Sequence, residues 1–384
     1  MPIQVNIDFH RGLRGGRPCD EEAALFIVDA HLDLAYNALR GRDVLLHAAD
    51  QKPDDEGIPS VGLPDLRAGD VGLICATIFC QPALPNHDGY HSSAEAAAVA
   101  QRQLHWYQKQ EQEGRIQIIR GAADLPSGLN GDTAYRPTSA IILMEGADAI
   151  QSPSEVRRWH EAGLRAVGLA WKRTRYAGGT GAPGPLTSEG VALVSALDEV
   201  GIIHDVSHLA EESFWQLLEI SGGPVMASHS NCRAFVPTDR QLSDEMIRSL
   251  ATRGAVIGIN FFDKFLIPPD DYGKRRATLV DVMRHLRHMC DVIGDARHIG
   301  IGTDMDGGLG REQIPVEIRS SADLPRIADA LTAFGFSDED VRNILGQNWL
   351  RFFRRALDPT ARLEFKMAAR QPRFKEALDT RPVA

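Results

Sequence analysis

Eight short apolar runs punctuate the chain: LFIVDAH (25–31), VGLICATIF (71–79), AIILMEG (140–146), LRAVGLAW (164–171), GIIHDVSH (201–208), PVMASH (224–229), AVIGIN (255–260) and HIGIGTD (298–304). Each is rich in β-branched residues and bounded by turn residues, so each reads as a strand. Longer stretches of helical periodicity lie between most of them, among them SAEAAAVAQRQLHWYQKQ, PSEVRRWHEAG and TLVDVMRHLRHMCDVIG. Strand–helix alternation argues for parallel pairing. Strands apolar at nearly every position belong to a sheet covered on both faces. Eight of them over about 280 residues fit an α/β fold of the (β/α)8 TIM type. A doubly wound open sheet is the alternative, but no G-x-G-x-x-G follows the first run.

No linker, repeat or low-complexity tract divides the chain. The expected organisation is an N-terminal extension (1–24), a barrel (25–356) and a polar tail or capping helix (357–384). Composition narrows the function classes. With 42 basic and 52 acidic residues the net charge is −10, a poor basis for binding nucleic acid or an anionic membrane. No run of about 18 apolar residues spans a bilayer, and the first 22 residues carry no apolar signal core. The five cysteines are scattered, without C-x-x-C, and read as free thiols of a reducing, cytoplasmic setting.

In a barrel of this type the chemistry gathers where the strands end. The first run ends in His31 and Asp33, the third in Glu145, the fifth in His208, the sixth in His229 and the eighth in Asp304. A lone histidine there is more often a satisfied core or surface residue, and a lone carboxylate is often a helix cap. Six ionisable groups at one structural level are another matter, because such groups are the least often buried. Three imidazoles with several carboxylates suit zinc, and also manganese or cobalt. One carboxylate of such a set can bridge two ions, and Glu145 is the only glutamate among them.

With these residues in view, the chain resembles the renal (membrane) dipeptidase family of zinc peptidases, within the amidohydrolase-like barrels. The matching stretches are VDAHLDL, LPDLRAGDVG, MEGADAI, LTSEGVALVSALDEVGIIHDVSH, PVMASHS, the arginine of DRQLSDEMIR, IGTDMDG and NILGQNWLRFF. They run in the family's order over residues 25 to 355. The resemblance implies that His31 and Asp33 hold one zinc, His208 and His229 a second, and that Glu145 bridges them. It implies that Asp304 shuttles a proton and that Arg240 receives the substrate's terminal carboxylate. Mammalian members carry a histidine at the end of the fourth strand, where this chain has Trp171. A tyrosine often found after the seventh strand is here Phe262. Both are expected to line the substrate site.

The resulting expectation is a binuclear zinc dipeptidase that tolerates a D-residue at the C-terminal position, with the oligomeric state open, a homodimer included. Another amide, lactam or lactone hydrolase, a non-hydrolytic biosynthetic enzyme and a non-catalytic metal-binding relative remain as alternatives. Lys172, Arg173 and Arg175 suggest a positive mouth that favours acidic side chains. The Gly-rich stretch 172–186 reads as a mobile wall over the site, and His204 as a barrel-interior or supporting group. His87, Asp88 and His91 read as solvated loop residues, and Cys232 as having no catalytic role.

Overall fold

The computed structural model describes residues 25–85, 88–128 and 137–368; the whole N-terminal extension (1–24), including Cys19, and His87 lie outside them, as does the end of the tail (369–384). The strands are β1 (Ile27–Leu32), β2 (Val71–Phe79), β3 (Ile116–Ile118), β4 (Thr138–Glu145), β5 (Leu164–Gly168), β6 (Ile203–Asp205), β7 (Val225–Met226), β8 (Ile257–Ile259) and β9 (Ile299–Ile301). They pair in parallel in the order β7-β6-β5-β4-β2-β1-β9-β8. The two free edges then meet. Ala227 N–H donates to the Val256 carbonyl (3.1 Å) and Gly258 N–H to the Ala227 carbonyl (2.8 Å). The result is a nearly closed eight-stranded barrel of the TIM type. Each of the eight apolar runs supplies one of its strands.

β3 was not foreseen. Its sequence, IQI, is three residues with an exposed centre, and it pairs only with Thr138, Ser139 and Ala140 at the start of β4. The later strands are shorter than their runs. β6 to β9 hold two or three residues each. The rest of each run leaves the ladder as buried loop.

Inside the barrel, Leu73 and Cys75, Ile141 and Leu143, Ala166, Ile203 and Met226 form one cluster, all 0% exposed. The helix Asn348–Ala356 closes this cluster from below. Trp349, also 0% exposed, donates its indole N–H to the Ile301 carbonyl (3.0 Å). Asn348 donates to the carbonyls of Ala296 and Ile299, both at 2.7 Å. Glycine is required opposite the indole, since a Cβ at Gly300 would lie 2.1 Å from Trp349 Nε1. Beyond residue 356 a further helix, Arg362–Ala368, brings Phe365 (2% exposed) into the same cluster. Among the described residues no helix is long and apolar enough to cross a membrane.

Candidate metal centre

The opposite end of the barrel is polar. Glu145 is the last residue of β4, in register with Phe79 of β2 and Gly168 of β5. Strict alternation along β4 places it on the interior face with Ile141 and Leu143. β1 is less regular. Val28 and Ala30 belong to the interior cluster, so unbroken alternation would turn His31 outward. The β1–β2 register shifts between Asp29 and Leu32, and an irregularity of this kind re-aims the side chains beyond it. His31 and Asp33 consequently reach the site together, with His31 Nε2 3.8 Å from Asp33 Oδ2.

His208 and Asp304 stand just past their strands with φ of 65° and 60°, and Asp306 has φ 61°. Non-glycine residues seldom adopt this left-handed conformation, and such strain collects at functional sites. Asp306 anchors the turn. It accepts hydrogen bonds from the backbone N–H of Ser60 (3.0 Å) and Val61 (2.9 Å), with Arg42 Nη1 3.4 Å away.

The six strand-end residues converge, all buried, between 0% and 8% exposed. Glu145 Oε2 lies 3.2 Å from His31 Nε2, and its Oε1 lies 3.2 Å from His208 Nε2 and 3.9 Å from His229 Nε2. His208 and His229 face each other Nε2 to Nε2 at 3.0 Å. Asp304 Oδ1 is 4.0 Å from His31 Nε2, while its Oδ2 accepts from the Asn260 amide at 2.9 Å. Three groups have ligand atoms within 4.8 Å of one another: His31–Asp33–Asp304, Glu145–His208–His229 and His31–Asp205–His229, of which the first two share no residue and form two halves of the cluster. Ligands about 2.1 Å from a tetrahedral ion stand about 3.4 Å apart, close to these spacings.

The electrostatics point the same way. Burial drives the Asp33 carboxyl well above its usual range; His31 opposes this, and Glu145 and Asp304 add to it. Burial also raises Asp304, to about 7. Burial alone would lower His31, but Glu145, Asp33 and Asp304 carry it up to about 10. His208 and His229 are pushed well below the ordinary value, by burial first and by the charges of His31 and Arg240 after it. A cluster that forces a proton onto one buried imidazole is calling for positive charge. His31 Nε2 and Asp33 Oδ1 are buried without a hydrogen-bond partner, as ligand atoms awaiting a cation would be. The donor set therefore fits divalent metal.

Arg240 is 4% exposed and lies beside this cluster. Its Nη2 donates to the His229 carbonyl (2.5 Å) and its Nη1 to Ser230 Oγ (3.1 Å). Its Nε has no partner, and among the described residues no carboxylate lies in ion-pair distance of it. The guanidinium sits 5.2 Å over the Phe265 ring. Phe262 packs edge-on to that same Phe265 (5.0 Å) and to Tyr272 (6.3 Å), so it meets the Arg240 end of the site through Phe265 rather than by touching a ligand. Trp171 forms a wall: its ring is edge-on to Phe79 (5.2 Å) and 6.2 Å from His208.

Two expectations are corrected. The 172–186 stretch is not a loose wall. Tyr176 and Ala177 are 0% and 1% exposed, and Cβ atoms at Gly178 and Gly179 would lie 2.5 Å from neighbouring backbone. Its Thr180 Oγ1 stands 3.0 Å from His208 Nδ1, so the segment supports a histidine of the cluster. His204 faces outward, its Nε2 2.7 Å from Asp198 Oδ1 on the helix Ser188–Val200, because β6 ends at Asp205 and alternation does not carry through to His208. The three mouth cations are held in place with their charge intact: Arg173 donates to the Pro183 carbonyl, Arg175 to the carbonyls of Ile150 and Gln151, and Lys172 lies over the Trp171 ring at 5.7 Å. Sequence reasoning also passed over Asn260, Asp205 and Ser228, which lie within the quoted runs, and Thr180 in the Gly-rich stretch. Asn260 carried the clearest signal, as the polar end of AVIGIN.

A parallel eight-stranded barrel with imidazoles and carboxylates gathered at the C-terminal ends of its strands has the build of a metal-dependent enzyme. The model of the membrane dipeptidase family (peptidase family M19) matches residues 22–365. Of solved structures, the dipeptidase AC, a metallo peptidase of family M19, is 26% identical with a TM-score of 0.75, over 87% of this chain and 99% of that one. A metallo peptidase from Rhodobacter sphaeroides, bound to a phosphinate mimic of the dipeptide L-Ala-D-Ala, is 26% identical with a TM-score of 0.74, over 86% and 99%. An uncharacterized protein in the pqqA 5′ region of Klebsiella pneumoniae is 29% identical over 248 residues, 62% of this chain and 88% of that protein. The chain spans about half the length of two curated relatives that bear the name dipeptidase, 54% and 57%. The chain belongs to the membrane dipeptidase family and is by that membership a hydrolase of peptide bonds.

Proposed function

We propose that the chain is a binuclear zinc dipeptidase that accepts a D-residue at the C-terminal position. The observation that carries this reading is the split of one carboxylate, with Glu145 Oε2 and Oε1 each 3.2 Å from a histidine of a different group. His31 and Asp33 would hold one ion, His208 and His229 the other, and Glu145 both. Ions held there supply Lewis acidity and bring the pKa of water down toward 7.

The remaining work falls to the chain's own groups. Asp304, with Oδ2 fixed by Asn260, keeps Oδ1 free to take a proton from water and return it to the leaving amine. Gly307 leaves room for this carboxylate, since a Cβ there would lie 2.0 Å from Asp304 Oδ1. Arg240 is held rigid by His229 and Ser230 and has an unpartnered Nε, which suits charge-assisted binding of a free carboxylate. An arginine so placed restricts cleavage to short substrates. Trp171 and the Phe262–Phe265 pair would bound the two ends of the substrate. The dipeptide mimic in the Rhodobacter sphaeroides relative supports both the substrate length and the D-configuration.

The test is a dipeptide library with L- and D-residues in the second position, assayed on zinc-replete enzyme. Cleavage of dipeptides, D-configured ones included, with none of N-acylated amides, lactams or lactones, is the expected outcome. Cleavage of a lactam or lactone panel with dipeptides untouched would replace this reading.

A further inference from the structure

The motifs HDVSH and ASHS contain four polar residues beside the histidines, and the proposed chemistry leaves Asp205 and Ser228 unassigned. Both are buried, at 2% and 0% exposure. Ser228 Oγ lies 2.6 Å from Asp205 Oδ2, 2.7 Å from His229 Nδ1 and 3.2 Å from His31 Nδ1. Ser207 Oγ lies farther off, at 3.4 Å. Asp205 Oδ1 accepts the backbone N–H of Ser228 (2.8 Å) and of Ser207 (3.1 Å), which fixes the carboxylate in place. The serine itself is drawn inward between two glycines, because Cβ atoms at Gly258 and Gly302 would lie 1.9 and 1.8 Å from its carbonyl oxygen.

A hydroxyl has one proton and two acceptor lone pairs, and an ionised carboxylate only accepts. The Ser228 proton therefore goes to Asp205. Its two lone pairs are left to accept N–H from the two imidazoles. Both histidines then carry their proton on Nδ1 and present a bare Nε2. His31 and His229 belong to different halves of the cluster, so one hydroxyl governs a ligand in each.

We propose that Ser228, oriented by Asp205, is a positioning residue that sets the tautomer of both His31 and His229 and so couples the two metal positions. This rests on the two-metal reading above. Partners of this kind typically contribute 10- to 100-fold in metal affinity. Ser228→Ala should therefore weaken zinc at both positions by about that factor, not at one alone. Asp205→Asn makes a sharper demand. Its amide oxygen must face the Ser207 and Ser228 N–H groups, which turns the NH₂ toward Ser228 Oγ. The serine proton must then go to one imidazole, whose Nδ1 can no longer carry a proton. One zinc should weaken and the other stay.

The experiment is zinc titration against a chelating competitor on the full chain, together with nitrogen NMR of zinc-loaded, histidine-labelled protein. In the wild type, two zincs should bind, and His31 and His229 should both show a proton on Nδ1. Asp205→Asn should move one of the two resonance pairs. A proton missing from either Nδ1 in the wild type, or unchanged zinc affinities in folded Ser228→Ala, would overturn the assignment. If the wild type takes one zinc or none, the two-metal reading fails, and the tautomers in that same sample still decide the role of Ser228. Should Ser228→Ala not fold, the wild-type spectrum and Asp205→Asn carry the test.

Discussion

The two ends of the barrel are built from the same strands and obey opposite rules. At the floor, Trp349 closes an apolar stack, with its N–H paired to Ile301 and its ring stacked on Phe353 at 5.3 Å. The Asn348 amide likewise donates to backbone carbonyls, and glycines at 300 and 346 let the closing segment press against the strands. At the mouth, three residues hold positive φ, a histidine is driven toward charge, and His31 Nε2 and Asp33 Oδ1 are left without partners. Burial is equally complete at both ends. The difference lies in whether the buried polar groups are satisfied by the chain, and this separates the end that stabilises from the end that acts.

Substitutions should respect that division. The largest effect is expected from Glu145→Gln, which removes the shared charge. Several kcal/mol of lost transition-state stabilisation means a fall in kcat/KM of about 10³-fold or more, with metal content reduced and thermal stability of the metal-free chain nearly unchanged. Retained activity in steady-state assays would break the comparison at its centre. Asp304→Asn should lower kcat by about 10²- to 10⁴-fold while the histidines still bind metal. Loss of metal instead would make Asp304 a ligand in the first place.

At the floor the pattern reverses. Trp349→Ala should cost about 3–5 kcal/mol of stability, read by denaturant unfolding, with kcat per folded molecule unaltered. A comparable fall in kcat would mean that the two ends are mechanically linked. The smallest effect is expected at the edge of the mouth. Arg240→Met should reduce kcat/KM for free dipeptides by about 10- to 100-fold and matter far less for C-terminally amidated ones. Equal losses on both would remove Arg240 from carboxylate recognition.

The barrel was legible because parallel strands covered on both faces read as continuous apolar runs. β3 escaped because three residues with a polar centre carry no such run. The strand-end cluster was legible for a related reason: a charge that terminates an apolar run stands out. His31 and Asp33 do meet, but through the irregular register of β1 rather than plain alternation. His204 shows the limit of that rule, since alternation fails once the strand has ended. The supporting groups were harder to see. Asp205 and Ser228 lie within runs whose apolar neighbours dominate the pattern, and their meaning depends on two strands being adjacent. The loop cations show a third limit. Charge is visible in a sequence, but the carbonyls that occupy Arg173 and Arg175 are supplied by a fold.

The central claim is that the polar mouth is a two-metal centre. It is tested most directly by counting ions in protein purified without chelator, before and after addition of zinc and removal of the excess. The account predicts about two zincs per chain, with a matching rise in dipeptidase activity. One ion or fewer per chain, with added zinc unable to raise the content, would contradict it.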